Sequence, residues 1–336
     1  MISCGLASRT LPPVGRRMSD RTRRGQAAPL GRLPLVARAW DPLPPDPAAP
    51  TGVPRRRPGA GGTTLATVEV GEGGRPLLLV HGFTGAKEDF ADWFDRFAEA
   101  GWWVVAPDLR GHGDSDQPPD EDDYSLPVLA DDLGALVDDL GWDRYALVGH
   151  SMGGMVAQEV VLRPGHGVER LVLMDTHHGP IEGLSPEVVE LGLEVLRRDG
   201  LPALLALLAE LGTQPPAPAD ARLRAERAGY AAYGDWKMTR VSPAMYAAMA
   251  SELVHRPDRL AELAGLTDEL SVLVVVGEQD RTFRGAADRM GEAIGHASTV
   301  VIDDAAHSPQ FEHPEAWWAA VAPFLSAATP ASPGAG

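Results

Sequence analysis

From Thr63 onward, short continuous apolar runs alternate with amphipathic stretches. Leu77-Leu78-Leu79-Val80, Trp102–Ala106, Tyr145–Val148, Leu171–Met174, Val272–Val276 and Ser298–Ile302 are too short for helices, and each reads as a strand. Thr63–Val70 reads as a further strand, followed by a turn over Gly71–Pro76. Lys87–Glu99 predicts a helix with Phe90, Trp93, Phe94 and Phe97 on one face. Ser125 and Pro127 open another, whose apolar face is Leu129, Leu133, Leu136, Val137 and Leu140. Gly154–Leu162 reads as a helix stopped by Arg163-Pro164-Gly165; a helix near Gly285–Ile294 and one carrying Trp317, Val321 and Phe324 complete the set. Buried strands alternating with helices imply an α/β fold class, a mostly parallel central sheet flanked by helices on both faces.

The alternation stops between residues 177 and 266. Pro186–Arg198, Pro202–Leu211, Asp220–Tyr233 and Pro243–Leu253 all carry helical patterns there. A helical insertion between two strands reads as a cap over the strand carboxyl ends, where parallel sheets bind ligands. It is the candidate element for selecting substrate. The expected organisation is a disordered Arg/Pro-rich tail over 1–60, a core built from 61–176 and 267–326, a helical cap over 177–266, and a disordered C-terminal tail over 327–336. Trp40–Arg57 holds too many prolines for a regular helix or a central strand, so no first edge strand is visible there. Met18 is an alternative start.

Composition changes this picture little, but charge sharpens it. With 44% apolar and 23% charged residues, the chain has material for a large core. Residues 1–57 hold eleven arginines and three aspartates, a net +8, which leaves −25 on the rest of a chain whose total is −17. An acidic body repels phosphate backbones, so no nucleic acid is expected on the core; a basic tether in the tail is the alternative. Cys4 is the single cysteine, which excludes an intrachain disulfide. Arg16-Arg17 lacks the apolar segment of an export signal, and no run approaches a membrane span, so a cytoplasmic protein without membrane contact is expected. Oligomeric state is not fixed by these features.

The chemistry concentrates at Gly149-His150-Ser151-Met152-Gly153, a G-x-S-x-G pattern between the Tyr145 strand and the following helix. Such a turn exposes the serine hydroxyl at a helix N-terminus, whose N–H groups and dipole favour developing negative charge. Serine needs a base and an orienting carboxylate, in the chain order Ser, acid, His for this elbow. Asp280 lies in the loop beyond the Val272 strand and His307 beyond the Ser298 strand, so all three emerge at one sheet edge. Glu278 and Asp175 are alternative acids, and His313 is the alternative base. Asp303 and Asp304 read as turn residues. His150 reads as a hydrogen-bonding neighbour. His177-His178 has no third ligand at a zinc spacing, so no metal is expected. The oxyanion donors are expected to be the backbone N–H groups of Phe83, in the His81-Gly82-Phe83 loop, and Met152. No dinucleotide or nucleotide motif is present, and no cofactor is expected.

These residues resemble the α/β-hydrolase superfamily over about residues 63 to 326. His81-Gly82-Phe83 looks like its oxyanion loop, Pro107 to Ser115 like a structural loop, Gly149 to Gly154 like its nucleophile elbow, Gly277 to Asp280 like the acid loop and Ala306-His307-Ser308-Pro309 like the histidine loop. Dehalogenases and epoxide hydrolases of that fold carry aspartate where this chain has Ser151. The resemblance implies a capped serine hydrolase acting on a small-molecule carboxylic ester, thioester or lactone. An apolar pocket is expected, walled by Phe83 and Met152, with Phe283 and the cap residues Trp236 and Met238. A carbon–carbon bond hydrolase of aromatic ring-cleavage products, using the same triad, and a triad-retaining ligand receptor are the alternatives.

Overall fold

The computed structural model describes residues 52–183, 185–211 and 216–327. Eight strands form one sheet: β1 (Val53–Pro58), β2 (Thr64–Val70), β3 (Arg75–Val80), β4 (Trp102–Pro107), β5 (Tyr145–His150), β6 (Val168–Met174), β7 (Ser271–Gly277) and β8 (Ser298–Ile302). Their order is β1-β2-β4-β3-β5-β6-β7-β8. β2 runs antiparallel to both neighbours, and every pair from β4 to β8 is parallel. The helices are α1 (Phe94–Glu99), α2 (Leu126–Leu140), α3 (Met152–Val161), α4 (Pro186–Asp199), α5 (Leu201–Leu211), α6 (Pro218–Glu226), α7 (Tyr230–Met238), α8 (Pro243–His255), α9 (Leu260–Leu263), α10 (Arg284–Ala293), α11 (Pro309–Glu312) and α12 (Pro314–Ser326).

Strand alternation divides the core in two. Leu78 and Val80 of β3 pack with α2 and α3 on one face, while Leu77 and Leu79 pack with α1 and α12 on the other. Both faces are covered, which is why these strands read as unbroken apolar runs. Ser125 caps α2, its Oγ accepting the Val128 N–H at 3.2 Å. The predicted Lys87–Glu99 helix begins as a 3₁₀ segment, Lys87–Trp93, before widening into α1, yet Phe90, Trp93, Phe94 and Phe97 are all buried as expected.

Two expectations change. The Pro-rich run ending at Pro58 supplies an edge strand: β1 pairs with β2 from Val53↔Glu69 to Pro58↔Thr64. Residues 53–58 therefore belong to the sheet and not to a disordered tail; residues 1–51 and 328–336 lie outside the described residues. Pro54 and Pro58 share one parity, so only one side of the strand lacks donors, which an outer strand can spare. Arg57 on the other parity grips Glu69 of β2 through two 2.8 Å bonds. The predicted Asp220–Tyr233 helix is two helices, α6 and α7, broken before Gly229, whose φ of 81° lies outside the helical region.

Helices α4 to α9 fall between β6 and β7. Tyr233 and Lys237 of α7 reach Asp89, in the segment after β3, so this part of the insertion lies over the carboxyl ends of the strands. Among the described residues, no helix is long and apolar enough to cross a membrane.

Candidate active site

β5 ends at His150, α3 begins at Met152, and Ser151 alone makes the turn between them, at φ 55° and ψ −121°. A side chain rarely adopts such a backbone unless its surroundings impose it. Here they do. The Ser151 N–H donates to the Met174 carbonyl of β6 at 2.9 Å, and Thr176 Oγ1–H donates to the Ser151 carbonyl at 2.6 Å. A side chain at Gly149 would collide with the Gly153 carbonyl, so only glycine lets α3 turn back over the strand.

The serine is the first member of a hydrogen-bonded relay. Ser151 Oγ lies 3.0 Å from His307 Nε2, and His307 Nδ1 lies 2.6 Å from Asp280 Oδ2. The acid therefore holds the Nδ1–H tautomer and leaves Nε2 free to accept the serine proton. Asp280 Oδ1 also accepts the Phe283 N–H at 3.3 Å. Burial acts to raise the Asp280 pKa, but the charge and hydrogen bond of His307 outweigh it and hold the carboxyl below its ordinary value. The Phe283 ring stacks on His307 with centroids 4.7 Å apart. Glu278 turns away from the relay and accepts the Asp304 N–H at 3.0 Å. His313 precedes α12, where its carbonyl accepts the Trp317 N–H.

The expected oxyanion donors lie in the loop after β3 and at the elbow. A Cβ on Gly82 would stand 3.0 Å from Ser151 Cβ, so the loop before Phe83 lies directly against the nucleophile. His112 Nε2–H donates to the Phe83 carbonyl at 2.6 Å, and His81 accepts the Leu109 N–H at 3.0 Å, fixing the loop from behind. Burial drives the His81 pKa down to about 3, which keeps that ring neutral and able to accept. Met152 carries the first N–H of α3, which has no acceptor within the helix. The Phe83 ring packs on Tyr246 of α8.

Residues 75–314 match the family model described as alpha/beta hydrolase fold. The chain belongs to the α/β-hydrolase fold family. Epoxide hydrolase 3 of Xenopus tropicalis is 36% identical over 158 residues, 44% of this chain and 42% of its own length. The chain thus spans under half of that relative. Epoxide hydrolase A of Mycobacterium tuberculosis is 28% identical over 308 residues, 79% of this chain and 95% of its own. Among solved structures, the enol-lactonase from Burkholderia xenovorans is 25% identical with a TM-score of 0.66, covering 80% of this chain and 98% of its own. A thermophilic esterase from Thermogutta terrifontis is 26% identical with a TM-score of 0.64, covering 81% and 98%.

Around the relay, this α/β-hydrolase carries polar groups that its sequence did not single out. Glu312 Oε2 accepts the N–H groups of Ala306 at 2.6 Å and Ser308 at 3.2 Å, straddling His307. Asp89, 4% exposed, accepts Tyr233 Oη–H at 2.7 Å and Lys237 Nζ–H at 2.6 Å from α7. Only proximity in space relates these residues, and no local pattern announces it. His150 Nε2–H donates to the His307 carbonyl at 2.6 Å, the neighbour role expected of it. Burial, and then the nearby His307 charge, lower its pKa to about 3.

A cavity of about 30 Å³, room for about two waters, lies between the elbow, the histidine loop and α7. Its lining includes Thr84, Asp89, His150, Lys237, Met238 and Gln310. Its lining mixes the Asp89–Lys237 pair with Tyr230, Tyr233 and Phe311, and neither Ser151 nor His307 is part of it. Met238 lines it. Trp236 does not; its ring stacks on Tyr233, which takes the inward place. Phe83 and Phe283 stand outside its lining.

Asp175, Asp280 and His307 offer potential metal-ligand atoms within 4.8 Å of one another. The 2.6 Å contact between His307 and Asp280 is a hydrogen bond; two tetrahedral zinc ligands would stand about 3.4 Å apart. His177 and His178 stack on each other, and His178 Nδ1–H donates to Asp258 at 2.7 Å while Nε2 accepts from Arg289. Both His178 nitrogens are thus engaged by protein.

Proposed function

We propose that this hydrolase cleaves small carboxylic esters, thioesters or lactones through an acyl-enzyme on Ser151. The observation that carries the reading is the Ser151–His307–Asp280 relay, at 3.0 and 2.6 Å, mounted on a strained turn at a helix N-terminus. His307 Nε2 takes the Ser151 proton as Oγ attacks the acyl carbon. The carbonyl π electrons move to oxygen, where the N–H groups of Phe83 and Met152 receive the charge. Asp280 stabilises the imidazolium, which then protonates the departing alkoxide or thiolate as its bond to the acyl carbon breaks. Water, deprotonated by His307, attacks the acyl-enzyme and releases the acid and Ser151.

The named sequence relatives are epoxide hydrolases, and the identity of the nucleophile argues against carrying that reaction over. A serine alkoxide opening an epoxide would form an ether, which water activated by histidine does not cleave; a carboxylate would form an ester, which it does. Ser151 suits an acyl carbon, and two structural neighbours are an enol-lactonase and an esterase.

The test is turnover of a p-nitrophenyl ester chain-length series and a lactone by wild type and Ser151→Ala, beside styrene oxide and a vinylogous diketone ring-cleavage product. Ester or lactone turnover that falls by about 10⁶ in kcat in the variant supports the reading. Epoxide opening that survives in Ser151→Ala overturns it. Diketone cleavage with inert esters transfers the same relay to carbon–carbon bond hydrolysis.

A further inference from the structure

Asp175 follows β6 directly behind the relay and takes no part in the steps above. Its backbone has a φ of 44°, its side chain is fully buried, and its N–H donates to the Val275 carbonyl at 2.9 Å. Oδ1 accepts the Gly277 N–H at 2.9 Å, whereas Oδ2 is buried with no donor offered to it. A carboxylate oxygen of Asp175 lies within 4.8 Å of one of Asp280. Two carboxylates this close and this buried do not both ionise, so one keeps a proton. The partners decide which. Asp280 receives the His307 Nδ1–H and the Phe283 N–H, both of which favour its anion. Asp175 receives one amide and faces no cation in direct contact.

We propose that Asp175 is a neutral carboxylic acid whose Oδ2–H donates to Asp280, making it a positioning residue for the acid of the relay. A proton on Oδ2 turns the one orphaned oxygen into a donor and gives Asp280 a third hydrogen bond. Asp280 is then held with Oδ2 on His307, and a single negative charge remains opposite the imidazole. Burial first, and the neighbouring Asp280 charge second, push the Asp175 pKa well above the carboxylate range, in keeping with this assignment. Glu312 is the other acid whose charge reaches Asp175, through space and without a hydrogen bond.

The role rests on the triad reading, but its protonation state is read without turnover. Infrared difference spectra of the full chain, wild type minus Asp175→Asn at pH 8, should show a protonated-carboxyl band in the wild type. Asparagine keeps an acceptor for Gly277 and a donor for Asp280, and tolerates positive φ. Asp175→Asn should therefore retain kcat/KM for p-nitrophenyl acetate with an unmoved acid limb in its pH profile. Asp175→Ala, losing both contacts, should lower kcat by about 10²-fold with KM little changed, the penalty of a misplaced relay. Absence of the band overturns the assignment. So does an acid limb lowered by about one unit or more in the asparagine variant, which would mean a negative charge had been removed. A folded alanine variant with wild-type kcat overturns the positioning role. If alanine prevents folding, the asparagine profile and the band still decide. Inert esters with the band present would sink the esterase reading and leave the neutral Asp175 standing.

Discussion

The carboxyl edge of the sheet and the helices inserted over it are held by different forces. At the edge, each loop amide continues the sheet ladder into its neighbour: Ser151 N–H to Met174, Asp175 N–H to Val275, Glu278 N–H to Ile302 and Gln279 N–H to Ala305. The backbones that carry Ser151, Asp175 and Asp280 are thus tied to the sheet by main chain. Part of the insertion is held as a core is: Met245, Met249 and Leu253 of α8 are buried with α2 and α3, and the Ser242 N–H donates to the Gly111 carbonyl. Elsewhere it reaches the core through long side chains. Arg227 meets Asp92, Arg197 meets Glu121, Arg222 meets Asp304 and Arg240 meets Asp114, mostly in exposed pairs of small individual worth. Buried exceptions are Lys237 and Tyr233 on Asp89, and Arg256 beside Gln158 and Glu159. The edge is tied by a main-chain ladder, while α7 is tied to the core by side-chain charge at Asp89.

The largest test of this contrast is at the edge. Asp280→Ala should lower kcat by about 10⁴, as loss of the orienting acid does in serine hydrolases, with a much smaller change in melting temperature. Equal losses of stability and rate would show that the relay is structural and would collapse the distinction. The next test is at the anchor. Lys237→Met leaves the buried Asp89 charge without its ammonium, which should cost about 3 kcal/mol in urea unfolding near pH 7. Burial acts to raise the Asp89 pKa, but Lys237 and then His81 hold it below its ordinary value. Its contribution is therefore present above the unfolded pKa and lost as pH falls through the folded one. The deficit of the variant should accordingly shrink on acidification, as protonation of Asp89 removes the charge that Lys237 compensates. A deficit independent of pH would place the effect in packing and not in the ion pair.

What the sequence made legible follows the same line. Strands buried on both faces announce themselves as unbroken apolar runs, and Ser151 and Asp280 each follow one; His307 follows the outer strand β8, whose apolar run is only Val300-Val301-Ile302, and parallel order brings the three to one edge. The cap appeared as helical periodicity, but its break at Gly229 was hidden because Asp220–Tyr233 keeps a plausible helical pattern throughout. β1 was hidden for the opposite reason: prolines that forbid a central strand are permitted at an edge. Nothing local could reveal Asp89, Lys237 or Glu312, because the value of each comes from a partner brought near only by folding. Asp175 was visible as a group after a strand, whereas its facing Asp280 depends on β6 and β7 being neighbours.

Glu312 gives the finest test, because it asks whether the edge is held by main chain alone. It sits at the end of α11 and accepts from the amides on either side of His307, and with His150, which donates to the His307 carbonyl, it fixes the histidine loop through side chains. Burial raises its pKa to about 7, against the pull of those two donors. For a carboxyl raised in this way, the folded state binds a proton that the unfolded state has lost between its ordinary value near 4.5 and about 7. Stability should therefore fall as pH rises across that window, by at most about 3 kcal/mol. Glu312→Gln keeps an oxygen for both amides and never ionises. Its urea-unfolding free energy should flatten between pH 4.5 and 7 and exceed that of the wild type at pH 8, with ester turnover little altered. An unchanged slope would assign the titration to another buried acid. Loss of turnover with stability gained would mean that His307 is placed by the charge on Glu312 and not by its geometry, and the edge would then share the dependence on side-chain charge that otherwise marks α7.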